Sequence, residues 1–177
     1  SWNDAGTRLV DVNGDGLADL IQMKNPGNGE QDYRHVYINM GDNKGWEEDT
    51  RYDLGSLPFI NNAQGGDTGV RFIDVNGDGL ADIVQSLKAA DGSNIKRIYF
   101  NKGNGTGWEE FNNTVDIPTI FVDMVHYQNY GVRIADVNGD GLSDLIASYY
   151  SWDRPGDVQE VYINRGDGTG WTYDDRY

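Results

Sequence analysis

One nine-residue phrase occurs three times in this chain. DVNGDGLAD runs from Asp11 to Asp19 and returns unchanged from Asp74 to Asp82. DVNGDGLSD, with Ser143 in place of alanine, runs from Asp136 to Asp144. The flanks repeat as well: GTRLVDVNGDGLADLIQM from Gly6 matches GVRFIDVNGDGLADIVQS from Gly69 and GVRIADVNGDGLSDLIAS from Gly131. A second block follows each phrase, VYINMGDNKGWEED from Val36, IYFNKGNGTGWEEF from Ile98 and VYINRGDGTGWTYD from Val161. A fixed period of about 62 residues marks a supersecondary unit that buries its apolar face by stacking on copies of itself. The chain is therefore three copies of one unit.

Each unit reads as four strands. In the second copy these are VRFI, then LADIVQSL after the acidic loop, then RIYFN, then WEEF after the glycine-rich turn NKGNGTG. Glycines at such a turn supply the positive φ that a tight hairpin needs. Variable segments separate the units, Asp53 to Thr68 and Asp116 to Tyr130, and another, Lys24 to His35, lies inside the first. Four antiparallel strands at a fixed period is the pattern of β-propeller blades. The expected fold is all-β, with blade repeats at 1–52, 53–115 and 116–177, the last two including their connectors. A β-helix places its calcium motifs about every nine residues, which this spacing does not match.

The phrase places hard oxygens at alternate positions of a curled loop. Aspartates stand at positions one, five and nine and asparagine at three: Asp11, Asn13, Asp15 and Asp19; Asp74, Asn76, Asp78 and Asp82; Asp136, Asn138, Asp140 and Asp144. Position seven, Leu17, Leu80 or Leu142, would add a backbone carbonyl. Oxygen ligands with three carboxylates suit calcium; zinc wants nitrogen or sulfur. The expectation is three calcium ions per chain. An EF-hand begins alike but carries a glutamate at position twelve on a helix; here that position is Gln22, Gln85 or Ala147, on a strand pattern. Dockerin loops come paired about two dozen residues apart and precede helices. Three acidic loops without a cation would hold like charges together at a cost.

The phrase, its place after a short strand and the NxGDGTG-like turn before an aromatic strand resemble the FG-GAP or VCBS repeats. These build integrin alpha-chain propellers, fungal integrin-like lectins, bacterial surface proteins and toxin-complex subunits. The resemblance covers all three units. It implies a propeller whose calcium loop joins the first two strands of a blade and is structural; it does not specify a ligand. The FG and GAP wording itself is absent, which favours the VCBS side.

Other residues divide between packing and binding. Trp46, Trp108 and Trp171 recur at one position, as do Tyr37, Tyr99 and Tyr162, and repetition points to packing. The non-repeated HYQNY (His126 to Tyr130) and YYSWDRPGD (Tyr149 to Asp157) combine aromatic and hydrogen-bonding groups in variable segments, where function concentrates. RGD at Arg165 to Asp167 sits on a turn that reads MGD or KGN elsewhere. Catalytic motifs are missing; the two histidines, His35 and His126, stand in different variable segments. Glu47-Glu48 and Glu109-Glu110 alternate faces on a strand, so they make no acid/base pair. No enzyme is expected.

Charge narrows the partners. The net charge is -15, with 29 acidic against 14 basic residues, and nine of those acids lie in the three phrases. A nucleic-acid surface needs a basic stripe, and an anionic membrane would repel this chain. Cysteine is absent, glycine numbers 24, and no apolar run approaches the ~18 residues of a membrane helix. The chain opens near a repeat boundary with no visible signal peptide, which suggests an excised or engineered segment. The expected function is a calcium-stabilised binding or scaffold module, carbohydrate-binding or adhesive, extracellular or on the cell surface. The alternative is a purely structural part of a larger secreted toxin or adhesin assembly. Three blades leave two bare faces, so the ring is expected to close either as part of a longer chain, whose further blades cover those faces, or by self-association, a dimer before a trimer.

Overall fold

The computed structural model describes residues 4–55, 57–62, 66–103, 105–112, 116–126, 128–150 and 156–177. The first sheet contains β1 (Thr7–Val10), β2 (Asp19–Asn25), β3 (Tyr33–Asn39) and β4 (Trp46–Glu48), with the short strands β5 (Ile60–Asn61) and β6 (Gly66–Asp67) added to it. The second repeats this with β7 (Val70–Ile73), β8 (Asp82–Lys88), β9 (Asn94–Asn101), β10 (Trp108–Glu110), β11 (Val122–Asp123) and β12 (Gln128–Asn129). The third contains β13 (Arg133–Ala135), β14 (Asp144–Tyr150), β15 (Asp157–Asn164) and β16 (Trp171–Asp174). In each sheet the four main strands pair antiparallel in chain order, the meander of a propeller blade.

The register places the acidic phrase. Val10 pairs with Asp19, Ile73 with Asp82 and Ala135 with Asp144. The last residue of each phrase therefore opens the second strand, directly across from the end of the first. The other eight residues form the loop between them.

The segments read as connectors carry strands that the sequence did not reveal. β2 outruns β1, and its overhang is covered by β5, which pairs parallel through Lys24–Ile60 and Asn25–Asn61. Phe59 N–H donates to the Met23 carbonyl at 3.0 Å and Asn62 N–H to that of Asn25 at 3.0 Å. β11 does the same for β8 through Leu87–Val122 and Lys88–Asp123. These strands are two residues long and lack alternation; the open backbone edge beside them, rather than their own propensity, selects their conformation. By hydrogen bonding, part of each connector thus belongs to the preceding sheet.

Stacking decides which faces are buried. β2 alternates buried and half-buried positions from Asp19 to Met23, as a sheet with one covered face should. β8 is buried at six successive positions, because the second sheet has a neighbour on each side. Val12, Ile21, Tyr52, Phe59 and Ile83 lie in one core between the first and second sheets; Val75, Val84, Phe121, Leu145 and Trp171 lie in another between the second and third. Burying each large apolar side chain contributes about 1.5–3 kcal/mol. The repeated tryptophans fare unequally: Trp171 is 1% exposed, Trp108 is partly buried and Trp46 is 49% exposed. Tyr162 is buried, while Tyr37 and Tyr99 are partly so.

Candidate metal centre

The three loops share one hydrogen-bond plan. In the first, Asp11 Oδ1 accepts from Gly14 N–H at 2.8 Å and Asp15 N–H at 3.2 Å, and Asp11 Oδ2 from Gly16 N–H at 2.8 Å. Asn13 Oδ1 accepts from Asp15 N–H at 3.0 Å, and Asp15 Oδ1 from Leu17 N–H at 2.8 Å. Asn13 Nδ2 closes the ring by donating to Asp15 Oδ2 at 3.0 Å. Apart from the Asp15 N–H bond to Asp11, Asp74, Asn76 and Asp78 repeat these bonds within 0.1 Å, and Asp136, Asn138 and Asp140 repeat them within 0.3 Å. The loop can curl this tightly because its two glycines hold φ of 78° and 85° in the first copy, values that side-chain-bearing residues rarely adopt.

Position nine is used differently. Asp19, Asp82 and Asp144 are fully buried. Asp82 Oδ2 accepts from Val75 N–H at 3.0 Å and its Oδ1 from Asn101 N–H at 2.8 Å, so the carboxylate ties the loop to the end of β9. Asp19 makes the matching bonds to Val12 and Asn39, and Asp144 to Val137 and Asn164. Burial pushes the Asp82 carboxyl up to about 7, against the pull of the Asn101 and Val75 N–H groups and with the help of Asp78 and Asp74. Asp19 is raised for the same reason, its burial outweighing the N–H bonds from Asn39 and Val12.

The loops therefore gather positions one, three and five and set position nine apart at the base. Among the described residues no three Asp, Glu, His or Cys side chains are grouped as metal ligands. What each loop does collect is two carboxylates and an amide oxygen, all hard donors on an exposed turn. That donor set fits calcium, which also takes carbonyls and water, and does not fit zinc. Asp11, Asn13 and Asp15 would hold the ion in the first loop, with their counterparts in the others.

Position seven has a role the sequence concealed. The Leu80 side chain lies over Gly14 of the preceding loop, its Cδ2 2.6 Å from where a Cβ would stand. Leu142 lies over Gly77 in the same way, at 3.0 Å. Asn101 Nδ2 donates to the Val12 carbonyl at 2.8 Å and Asn164 Nδ2 to the Asp74 carbonyl at 3.4 Å, so adjacent sheets are joined loop to loop. The available signal was the asparagine closing each VYIN, IYFN and VYIN.

The remaining candidates are placed as follows. His35 Nδ1 lies 2.8 Å from Glu48 Oε1, while Arg97 Nε lies 3.9 Å from Glu110 Oε1. His126 Nδ1 lies 2.8 Å from buried Asp123 Oδ2, which also accepts from Tyr130 Oη at 3.2 Å. Tyr130 stacks on Tyr149 with centroids 4.2 Å apart, and Gln128 Nε2 donates to the Tyr150 carbonyl at 2.8 Å. The structure thus brings HYQNY and the start of YYSWDRPGD together; Tyr127 and residues 151–155 lie outside the described residues. In the RGD stretch, Arg165 pairs with Asp116 at 2.5 Å and Asp167 accepts from Thr169, so both charges serve the turn. A cavity of about 510 Å³ opens between the first and second sheets beside Asn13, Ile38, Met40, Glu47, Asp49 and Arg51. In the next groove Phe100, the counterpart of Ile38, packs against Gly168 and Phe111.

A family model described as an FG-GAP-like repeat matches residues 11–85. The T-cell immunomodulatory protein homolog of Plasmodium yoelii yoelii is 29% identical over 147 residues, covering 78% of this chain and 19% of that protein. A lectin of Agrocybe aegerita, whose structure is described as the basis of specific recognition of non-reducing terminal N-acetylglucosamine, aligns with 95% of this chain and 36% of its own. The TM-score is 0.59 at 24% identity, a likeness of fold alone. The chain spans about one fifth of the first relative and about one third of the second.

Proposed function

We propose that this chain, whose residues 11–85 match an FG-GAP-like repeat model, is a calcium-stabilised β-propeller module that acts by binding and scaffolding. The observation that carries this reading is the threefold identity of the loop: the same carboxylates and amide, the same bonds, the same glycine turns. Each loop takes one ion, which screens the paired aspartates and locks the crossing between the first two strands. Exposed loops with few charged ligands match the weaker calcium sites of extracellular modules, which supports a setting outside the cell or on its surface. Metal analysis and thermal melts test this. Three calcium ions per chain and a melt lowered by chelator are expected; a chelator-insensitive melt with no bound calcium overturns it.

Carbohydrate is the proposed ligand class. The cavity between the first and second sheets offers apolar Ile38 and Met40 beside the carboxylates of Glu47 and Asp49 and the guanidinium of Arg51. Its volume lies within the ~300–1,000 Å³ of small-ligand sites. That mix suits a ring with hydroxyls on its edge and C–H groups on its face. The surface around Gln128, Tyr149 and exposed Tyr150 is a second place for such a ligand. The competing reading is a purely structural segment of a larger assembly. A glycan array separates the two: binding lost on Arg51→Ala supports the cavity, and an array blank for the calcium-loaded protein supports the structural role.

A further inference from the structure

We propose that a second cavity in the joint between the first and second sheets binds a small phenolic ring, whose hydroxyl donates to the side-chain carbonyl of Gln85. The cavity measures about 260 Å³ and shares no residue with the one beside Asn13 and Arg51. One wall comes from the first connector, through Leu57, Pro58 and Thr68, and the other from the second sheet, through Gln85, Leu87 and Ile95. The last three share one face of that sheet, because β8 pairs with β9 through Gln85–Arg97 and Leu87–Ile95.

Gln85 calls for a ligand that brings a hydrogen-bond donor. Its side chain is 5% exposed, and its Nε2 donates to the Thr68 carbonyl at 3.1 Å. That bond fixes the orientation of the amide, since reversing it would set two carbonyl oxygens against each other. The remaining atom, Oε1, is buried and has no hydrogen-bond partner among the described residues. Buried acceptors in folded proteins are nearly always paired, so this oxygen marks where a donor enters. The space is well above the ~30 Å³ that one water occupies in the liquid and just below the ~300–1,000 Å³ of drug-sized sites. A single ring suits it.

The matching place in the next joint shows which ring. Thr68 N–H donates to the Phe59 carbonyl at 3.1 Å and Tyr130 N–H to the Phe121 carbonyl at 3.0 Å, so Thr68 and Tyr130 are equivalent. The strand registers make Gln85 and Leu87 equivalent to Ala147 and Tyr149, and Asn61 of the cavity wall equivalent to Asp123. Between the second and third sheets the rings of Tyr130 and Tyr149 stack, with centroids 4.2 Å apart and planes 4° from parallel. The Tyr130 hydroxyl donates to Asp123 at 3.2 Å. Between the first and second sheets the two tyrosines are a threonine and a leucine, and the alanine is a glutamine. That exchange takes away two phenol rings and adds one amide, and the cavity is the space left over. A phenol that enters it puts back a ring between apolar Leu57, Pro58, Leu87 and Ile95, and its O–H supplies the donor that Gln85 lacks.

Titrating the full chain with p-cresol, and with toluene as the same ring without its hydroxyl, tests this by NMR. Carbohydrate binding at the other cavity has no bearing on the readout. p-Cresol is expected to shift the Thr68 amide, the Gln85 side-chain NH2 and the Leu87 methyl groups along a saturating curve. Toluene is expected to bind about tenfold more weakly, because it leaves Oε1 without a donor. Gln85→Met keeps the length of the side chain without its carbonyl and should lower p-cresol affinity to that of toluene. Leu87→Tyr puts into the cavity the residue that the third sheet carries, and should abolish binding of both rings in a folded chain. Should Gln85→Met fail to fold, the toluene comparison and Leu87→Tyr still decide. The absence of a saturable shift up to the solubility of p-cresol leaves water as the only occupant and overturns the proposal. So do equal affinities for the two rings, p-cresol affinity unchanged by Gln85→Met, or p-cresol binding that survives Leu87→Tyr.

Discussion

The side chain of Leu80 occupies the space that a Cβ on Gly14 would need, with its Cδ2 2.6 Å from that position. The two residues belong to different repeats, so a glycine of one acidic loop is also the seat for the next sheet. Gly139 holds the same backbone angle, φ 81° against 78°, without a leucine above it. Gly139→Ala is therefore expected to cost only the left-handed backbone penalty, about 1–2 kcal/mol. Gly14→Ala adds overpacking of about 1–3 kcal/mol. Denaturant titrations of the two variants check the difference; equal losses would mean that Leu80 moves aside freely.

Asp82 and Asp78 are expected to separate the structural and ion-binding work of one loop. Asp82 is fully buried and both its oxygens accept backbone N–H groups. In Asp82→Asn, an amide NH2 must face one of those donors, at about 1–3 kcal/mol whether or not calcium is present. Asp78 is exposed. Asp78→Asn should change the chelated protein by less than about 0.5 kcal/mol while diminishing the stabilisation that calcium adds. Paired melts in calcium and in chelator give both numbers, and a harmless Asp82→Asn in chelator would contradict the buried role.

Asp123 sets an acid limit on the second connector. Burial pushes its carboxyl up, but the side chain and backbone N–H of His126, together with Lys88, outweigh that and hold it below the ordinary value. A depressed carboxylate contributes stability above its unfolded value, about 3.9, and loses it as pH falls through the lower folded value. Asp123→Asn should therefore be less stable than wild type at pH 7, by about 1–3 kcal/mol. The gap should narrow below about pH 4, where the wild-type carboxyl takes up its proton. Urea midpoints measured from pH 7 down to 3 follow the two curves; a constant gap would rule out the linkage.

The three tryptophans should grade stability by their burial. Trp171→Ala is expected to cost about 3–5 kcal/mol, because Trp171 is 1% exposed and its Nε1–H is bonded to the Ser143 carbonyl at 2.9 Å. Trp46→Ala in dilute protein should cost less than about 1 kcal/mol, as for most exposed positions. Thermal melts at low concentration rank them, and comparable losses would show that Trp46 is covered in solution.

Much of this was written in the sequence. The thrice-repeated phrase and the blocks after it set the number of units and four strands in each, read in the second copy as VRFI, LADIVQSL, RIYFN and WEEF and observed at Val70–Ile73, Asp82–Lys88, Asn94–Asn101 and Trp108–Glu110. Local rules suffice there: glycine permits the turn, alternation makes the strand, and short polar side chains bond the nearest N–H groups. The sequence could not say which of three equal tryptophans would be buried, since Trp46, Trp108 and Trp171 differ only in having a sheet beside them. Nor could it show that Asp82 would serve Val75 and Asn101, that Leu80 would cover Gly14, or that Ile60 would pair with Lys24. Those outcomes depend on contacts between residues far apart in the chain, and a repeat looks the same to itself whichever neighbour it has. Only stacking in three dimensions distinguishes an inner sheet from an outer one, because burial belongs to a pair of faces and not to either alone.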